Sequence, residues 1–347
     1  MKSRILVTAA GGTLAPLNIR LLKQTRHPGI WVLGVDTRAE ATGRYFADAF
    51  AQVPPGDHPG YADAILALIA AHRIDIVLPW SDEEALALAA DKARIEAAGA
   101  ILACAPLSTL QIMSDKFATY ELLAKAGIAM PRYVKVDTAA ALAAAADRFV
   151  IELGEFAVKP VVARGNRGTV VVRKDIAGVQ PYMGSRELHM DFETFRRSYL
   201  AAVHTPAIVM ERLVPPAYDI DVLAREGVVL RAMPRRRLNP AGVPYAGSVL
   251  TPTKTLLDLA GRVAEAFKLS WLYDFDLMTN VEGEAALIEV NPRPSGSIAA
   301  AILAGVPFYD DLIGLVNGAA IADVVLPTET TVIPYMDCRI LPVGLAS

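Results

Sequence analysis

Residues 274–296, DFDLMTNVEGEAALIEVNPRPSG, restrict the fold more than any other stretch of the chain. Two runs that alternate apolar and polar residues flank Glu282-Gly283, where glycine supplies the positive φ that a two-residue hairpin loop needs. Centring the hairpin there pairs Asp276 with Glu289 and Asp274 with Asn291. Side chains alternate across a strand, so these four share one face, while Phe275, Leu277, Ile288 and Val290 form an apolar stripe on the other. Like charges directly opposed on a sheet repel, so the polar face wants something positive between them. A solvated strand face is the alternative reading. The donor set is all oxygen, with no Cys or His nearby, which suits Mg²⁺ or Mn²⁺ rather than zinc. Arg293, just beyond, is placed to hold a phosphate oxygen. Carboxylates and an amide around a metal, beside an arginine, are equipment for phosphoryl transfer.

That chemistry needs a nucleotide site, and 347 residues leave room for two or three lobes to build one. A net charge of −3, without any block of Lys or Arg, argues against a nucleic-acid partner. Cys104 and Cys338 lack metal or redox spacing, so a reducing cytoplasm is expected. The opening MKSRILVTAAGG reads as a strand and turn rather than a signal peptide. The alanine-rich stretches carry charges every few residues, so no membrane span is expected.

Along residues 1–112, strand patterns (RILVTAA, WVLGVD, DIVLP, ILA) alternate with helical ones (PLNIRLLKQ, YADAILALIAAH, EEALALAADKARIEAAG), the pattern of a parallel, doubly wound sheet. AAGGTLAP followed by Asp36 has the outline of a dinucleotide site. Its glycines do not match G-x-G-x-x-G, and a tight strand-to-helix turn is the preferred reading. SDKFATYELLAKAG predicts a helix with Ser114 as N-cap and Gly127 at C′. From residue 155, FAVKP, TVVVR, AIVMERLV, DIDVLA and VVLRAMP read as short strands. Residues 176–206 read as a loop followed by a helix, and a further helix is expected at 253–268. The fold class is therefore α/β, continuing as α+β.

FAVKPVVARGNRGTVVV puts Lys159 at the end of a strand, before a glycine-bearing loop whose N–H groups can fold over phosphates. A flexible hairpin loop is the alternative. Taken in order, SDK, VKP…RGNRG, MERLVPPAYDIDVLA and DFDLM…IEVNPRPSG resemble the ATP-grasp superfamily, in particular members similar to the carbamoyl-phosphate synthase large subunit. The resemblance covers nearly the whole chain. It implies a Rossmann-like preATP-grasp domain at 1–112 and an ATP-grasp domain at 113–347. The latter would divide into a central, lid-bearing lobe at 113–210 and a metal-binding lobe at 211–347.

The resemblance also implies ATP and Mg²⁺ (or Mn²⁺) as cofactors. Lys116 and Lys159 match lysines that contact the nucleotide phosphates, and Gly165, Asn166 and Gly168 fall in the mobile loop over them. Met210, Glu211 and Leu213 match the segment that holds adenine; Asp276, Glu289 and Asn291 match the metal ligands; Arg293 matches the arginine at the transferred phosphate. Ala217 stands where close relatives carry a ribose-binding glutamate, and Asp219 or Asp221 is the candidate substitute. Asp274 is an additional acid, expected beside the ligands or in solvent rather than on the metal.

The reaction so implied is an ATP-dependent ligation. A small-molecule carboxylate becomes an acyl phosphate, an amine attacks it, and ADP and phosphate are released. Arg235 and Arg237 are expected to hold the anionic substrate or acyl phosphate and count with Arg293 as catalytic; Ser295 and Ser297 border the substrate. His27, His58, His72, His189 and His204 are scattered and read as structural or exposed. Two other readings stay open: bicarbonate phosphorylation as one unit of a split enzyme, and a regulatory nucleotide binder without catalysis. The partners expected are small-molecule carboxylates and amines, with no nucleic acid and no membrane; a homo-oligomer is left open.

Overall fold

The computed structural model describes residues 3–162, 167–181, 187–203, 205–239 and 246–340. The first sheet contains β1 (Arg4–Val7), β2 (Trp31–Asp36), β3 (Ala49–Gln52), β4 (Ile76–Leu78) and β5 (Ile101–Leu102). All are parallel, in the order β3-β2-β1-β4-β5. The Asp36 carboxylate accepts the N–H groups of Gly11 (2.7 Å) and Arg38 (2.9 Å). A Cβ on Gly11 would stand 2.8 Å from Asp36 Oδ2. The acid therefore ties down its own strand-to-helix turn, in line with the tight-turn reading.

Helix Leu107–Ser114 runs across the domain boundary expected after residue 112. Ser114 belongs to that helix, with its hydroxyl on Gln111 O at 3.0 Å. It is thus unavailable as the next N-cap, and Asp115 takes the position, accepting from Ala118 N–H at 2.8 Å to open helix Lys116–Lys125. Gly127 follows at φ 71°, as the C′ position requires.

The second sheet contains β6 (Tyr133–Val136), β7 (Phe156–Pro160), β8 (Val170–Val172), β9 (Val179–Pro181), β10 (Leu188–Met190) and β11 (Ala207–Glu211), ordered β6-β11-β7-β8-β10-β9. Its core face packs Phe156, Val158, Val170 and Val172 against Leu142 and Phe149 of helix Ala139–Leu153. Where residues 176–206 read as loop and helix, β9 and β10 intervene, and among the described residues helical turns are confined to Phe192–Thr194 and Phe195–Tyr199. Strands this short carry too little alternation to be read from sequence.

The third sheet contains β12 (Val214–Arg225), β13 (Val228–Arg237), β14 (Ser248–Leu250), β15 (Trp271–Thr279), β16 (Ala285–Asn291) and β17 (Thr331–Val332), ordered β16-β15-β12-β13-β14-β17. One face, with Ile220, Val222, Tyr273 and Phe275, packs against Leu256, Ala260 and Val263 of helix Lys254–Phe267. The opposite face begins apolar, with Leu223, Met233, Leu250 and Leu272 clustered with Phe308 and Leu312, and becomes charged further along the strands. No single described helix is long and apolar enough to cross a membrane.

The hairpin register matches expectation where it matters: Asp274 pairs with Asn291 and Asp276 with Glu289. Toward the turn it slips, and Leu277 pairs with Leu287. Asn280 N–H donates to Glu284 O (2.9 Å) and Gly283 N–H to Asn280 O (3.0 Å), so Val281 joins Glu282 and Gly283 in the loop. A bulge at Ile288 absorbs the extra residue. Leu287, 1% exposed, takes the core position expected of Ile288. Ile288 turns to the other face, and its carbonyl accepts from Tyr120 Oη at 3.1 Å. Urea unfolding should show Leu287→Ala destabilising by about 2–5 kcal/mol, with Ile288→Ala costing clearly less. The reverse order would contradict the bulge.

Candidate active site

Strand alternation and register stack polar side chains into rows across the third sheet. Glu289, Asp276, Asp219 and Arg235 face one another directly over β16, β15, β12 and β13; Asn291, Asp274 and Asp221 form the next row. One carboxylate oxygen each of Asp219, Asp274 and Asp276 lie within 4.8 Å of one another. Acids this close and this buried cannot all ionise without compensation. Arg237 supplies part of it: its Nε sits 3.0 Å from both Asp219 oxygens, and its Nη2 donates to Asp219 and, at 2.7 Å, to Asp276. Arg235 donates to Asp221 (2.6 and 3.2 Å) and to Ser297 Oγ (3.0 Å). Arg293 donates through Nε to Asp82 (3.1 Å), at the start of helix Asp82–Ala90 in the first domain, and its Nη1 lies 3.8 Å from Asp274. Lys116 Nζ stands 3.4 Å from Glu289.

The balance is uneven. Burial pushes the Asp219 carboxyl up, but Arg237 and Arg235 outweigh it and hold the group at about 2. Asp276 is pushed up to about 7, chiefly by burial and then by Asp219 and Glu289, against the pull of Arg237. Asp274 is driven well above the usual carboxylate range by burial and by its acidic neighbours. Its Oδ1 has no hydrogen-bond partner. An all-oxygen face short of positive charge fits a divalent cation. Asp276, Glu289 and Asn291, the expected ligands, lie together on this face and could hold one. The Asn291 amide nitrogen is committed to Asp274 at 3.1 Å, which leaves its oxygen as the ligand atom.

A small cleft, open to solvent, adjoins this face. The second sheet lines it with Ala157, Lys159, Val171, Met210 and Glu211, the link to the third with Leu213, and the third with Met278 and Ile288. Lys159, Met210, Glu211 and Leu213 thus meet in one place. Burial, then Lys116, pulls the Lys159 ammonium down, while Glu289, Glu187 and Asp276 pull it up, so the lysine feels both the cleft and the acid face. Gly168, at φ 74°, sits where a Cβ would come 2.9 Å from Pro160. Gly165 and Asn166 lie outside the described residues.

Several residues sit elsewhere than expected. Asp219, a candidate for ribose, is buried in the acid row and does not line the cleft. Arg235, expected at the substrate, is wholly buried and committed to Asp221 and Ser297, so it braces the acid face. Arg237 clamps Asp219 to Asp276. Ser295 and Ser297 are buried and bonded to each other at 2.7 Å. Asp274, by contrast, takes one of its two expected places: it is buried beside Asn291, whose amide donates to it at 3.1 Å. His189 lines the cleft with Thr169 and Glu187. Sequence carried no signal for Asp82 as the partner of Arg293, and Ile288 reaches the cleft only through the bulge.

Residues 5–103 match the family described as PylC-like, N-terminal domain, and residues 204–337 match the family described as ATP-grasp in the biosynthetic pathway with Ter operon. No curated protein matches the chain in sequence. N5-carboxyaminoimidazole synthetase from Staphylococcus aureus, solved with ADP, superposes with a TM-score of 0.68 at 15% identity, over 95% of this chain and 80% of that one. The biotin carboxylase domain of 2-oxoglutarate carboxylase from Hydrogenobacter thermophilus, solved with MgADP, ADP and bicarbonate, gives 0.65 at 17%, over 91% and 70%. L-amino acid ligase from Bacillus licheniformis gives 0.61 at 16%, over 90% and 73%. At such identities the likeness establishes the fold: an ATP-grasp domain behind a parallel-sheet N-terminal domain.

The undercompensated acids make stability depend on pH. Asp276 titrates near 7 in the folded chain but near ~4 when unfolded, so between those values the native state binds the extra proton. Stability in EDTA should therefore fall as pH rises through that window. Melting temperatures should drop between about pH 5 and about pH 8, Mg²⁺ should restore more at the higher pH, and Asp276→Asn should flatten the profile. A melting temperature indifferent to both pH and Mg²⁺ would contradict this electrostatic picture.

Proposed function

Because the chain belongs to the ATP-grasp superfamily, we propose that it is an ATP-dependent ligase that activates a small-molecule carboxylate as an acyl phosphate for capture by an amine. One observation carries this reading: Lys159 lines the cleft and is coupled to Lys116, Glu289 and Asp276, on an acid face that Lys116 and Arg293 reach from separate elements. Met210, Leu213, Met278 and Ile288 offer apolar walls for a base. Lys159 and Lys116 would offset phosphate charge. Asp276, Glu289 and Asn291 would hold a divalent cation, which would supply positive charge to the transferred phosphoryl group.

A carboxylate oxygen of the substrate attacks the γ-phosphorus as the bond to the bridging oxygen breaks, and ADP leaves with that electron pair. Arg293 donates hydrogen bonds to the phosphoryl oxygens from a fixed position, since Asp82 and the Pro294 carbonyl (3.1 Å) anchor its guanidinium. The amine nitrogen then attacks the acyl carbon, the C–O bond to phosphate breaks, and the nitrogen gives up a proton. No side-chain nucleophile is needed. A second reading, with bicarbonate as the activated carboxylate, draws on the likeness to the carboxylase domain solved with that anion.

The test is a panel of amino acids and other carboxylates with amine acceptors, with bicarbonate as a separate arm, read as ADP and phosphate release. Substrate-dependent ADP and phosphate are expected; AMP and pyrophosphate would overturn the acyl-phosphate route. Glu289→Gln should cut turnover by about a hundredfold or more while the protein stays folded. Arg293→Ala should lower kcat and kcat/KM together with little change in nucleotide affinity, and lysine there should rescue only in part. Weak nucleotide binding with normal turnover at saturation would make Arg293 a binding residue only.

A further inference from the structure

Helix Ala15–Lys23 turns an apolar face to the C-terminal helices, where Ile19 and Leu22 cluster with Ile298, Ala301, Phe308 and Leu312. Asn18, 3% exposed, sits within that face. Packing alone asks for an aliphatic side chain there, and a buried amide is unfavourable unless its polar atoms are met. They are met in full. Nδ2 donates to Leu14 O (3.0 Å) one turn back and to Gly296 O (2.8 Å), while Oδ1 accepts from Tyr309 Oη (2.8 Å). Two carbonyls on one side and a hydroxyl on the other fix the orientation of the amide. The bond to Leu14 stays within the helix, whereas the bond to Gly296 leads into the acid site.

Gly296 belongs to the turn at residues 293–297 that begins with Arg293. That turn is stiff from within. Pro294 fixes one φ, Ser297 N–H donates to Ser295 Oγ (3.0 Å), and the two serine hydroxyls bond at 2.7 Å. A stiff turn moves as one body, so the points that peg it decide where the guanidinium is presented. At one end Ser297 Oγ accepts from Arg235 (3.0 Å), itself locked onto Asp221. At the other, Arg293 donates to Asp82 (3.1 Å). Between them Asn18 holds the Gly296 carbonyl. Asn18 and Asp82 lie on helices Ala15–Lys23 and Asp82–Ala90, which follow β1 and β4, neighbours at the point where the strand order β3-β2-β1-β4-β5 reverses. Such a crevice commonly receives a ligand in open α/β sheets. In this chain the two helices beside it grip the turn that carries Arg293.

We propose that Asn18 is a positioning residue of the phosphoryl-transfer site: through the Gly296 carbonyl it holds the 293–297 turn so that Arg293 meets the phosphoryl group in transfer. This rests on the role given to Arg293 in the proposed function, and the test separates the two claims. Calorimetry of the full chain in Mg²⁺ measures ADP binding with and without fluoroaluminate, a mimic of the phosphoryl group in transfer. Fluoroaluminate should tighten ADP binding to the wild type by about tenfold or more, and Arg293→Ala should remove most of that gain. Asn18→Ala should bind ADP alone within about twofold of the wild type, with the gain cut to within about threefold. Asn18→Asp, equal in size but turning oxygen toward both carbonyls, should behave alike. Asn18→Ser keeps a hydroxyl for Leu14 O but is too short for Gly296 O, so it isolates the contact even where the other variants fold poorly. Tyr309→Phe, which leaves both amide donors in place, should retain most of the gain. Asn18 variants with the full gain would overturn the inference, as would variants that lose affinity for ADP alone to the same extent, since a general loosening of the domains would do that. A wild type that shows no gain, or an Arg293→Ala protein that keeps it, would overturn the phosphoryl role of Arg293, and this inference with it.

Discussion

Buried and half-buried carboxylates held shoulder to shoulder are the constraint around which this molecule is arranged. Strand register leaves Glu289, Asp276 and Asp219 no way to avoid one another, and Asp274 and Asp221 stand directly behind. Three of the compensating cations tie the face to different parts of the chain. Arg235 reaches Ser297, just before the C-terminal helices Ala299–Leu303 and Phe308–Val316; Arg293 reaches Asp82 in the first domain; Lys116 opens the helix entering the second lobe. The charge that makes the face suited to a cation therefore also helps set how the three sheets meet. Removing one cation would strand an acid in a dry environment, which is costly.

Much of this was legible in the sequence because it rests on local periodicity. The hairpin at residues 274–291 placed Asp274, Asp276, Glu289 and Asn291 on one face, since a period of two survives whatever surrounds it. The parallel first sheet and the helix at Lys254–Phe267 follow from equally local patterns. What escaped depends on contacts that pattern cannot encode. The loop took in Val281, and the bulge at Ile288 restored the register, so two departures cancel at the acids while exchanging Leu287 and Ile288 between core and cleft. Asp115 displaced Ser114 as the cap because the preceding helix had already claimed the serine.

Arginines misled for a related reason. MPRRRLNPAG reads as an anion site, and alternation did put Arg235 and Arg237 on one face. That face already held Asp219 and Asp221, and nearby acids satisfy a buried guanidinium better than an outside ligand can. Asp219 moved from the sugar to the acid row on the same grounds. Arg293 differs because its principal partner, Asp82, belongs to another domain, an arrangement sequence gives no means of anticipating.

The central claim is that the acid face and the cleft are one site, completed by a divalent cation and a nucleotide together. Electron paramagnetic resonance of Mn²⁺ titrated into the protein, with and without ADP, tests this directly. The account predicts that Mn²⁺ binds weakly alone, that ADP and Mn²⁺ tighten each other's binding by the same factor, as linkage requires, and that Glu289→Gln removes the coupling. ADP affinity unchanged between Mn²⁺ and EDTA, in a wild type that binds both, would show the two to be separate sites and contradict the account.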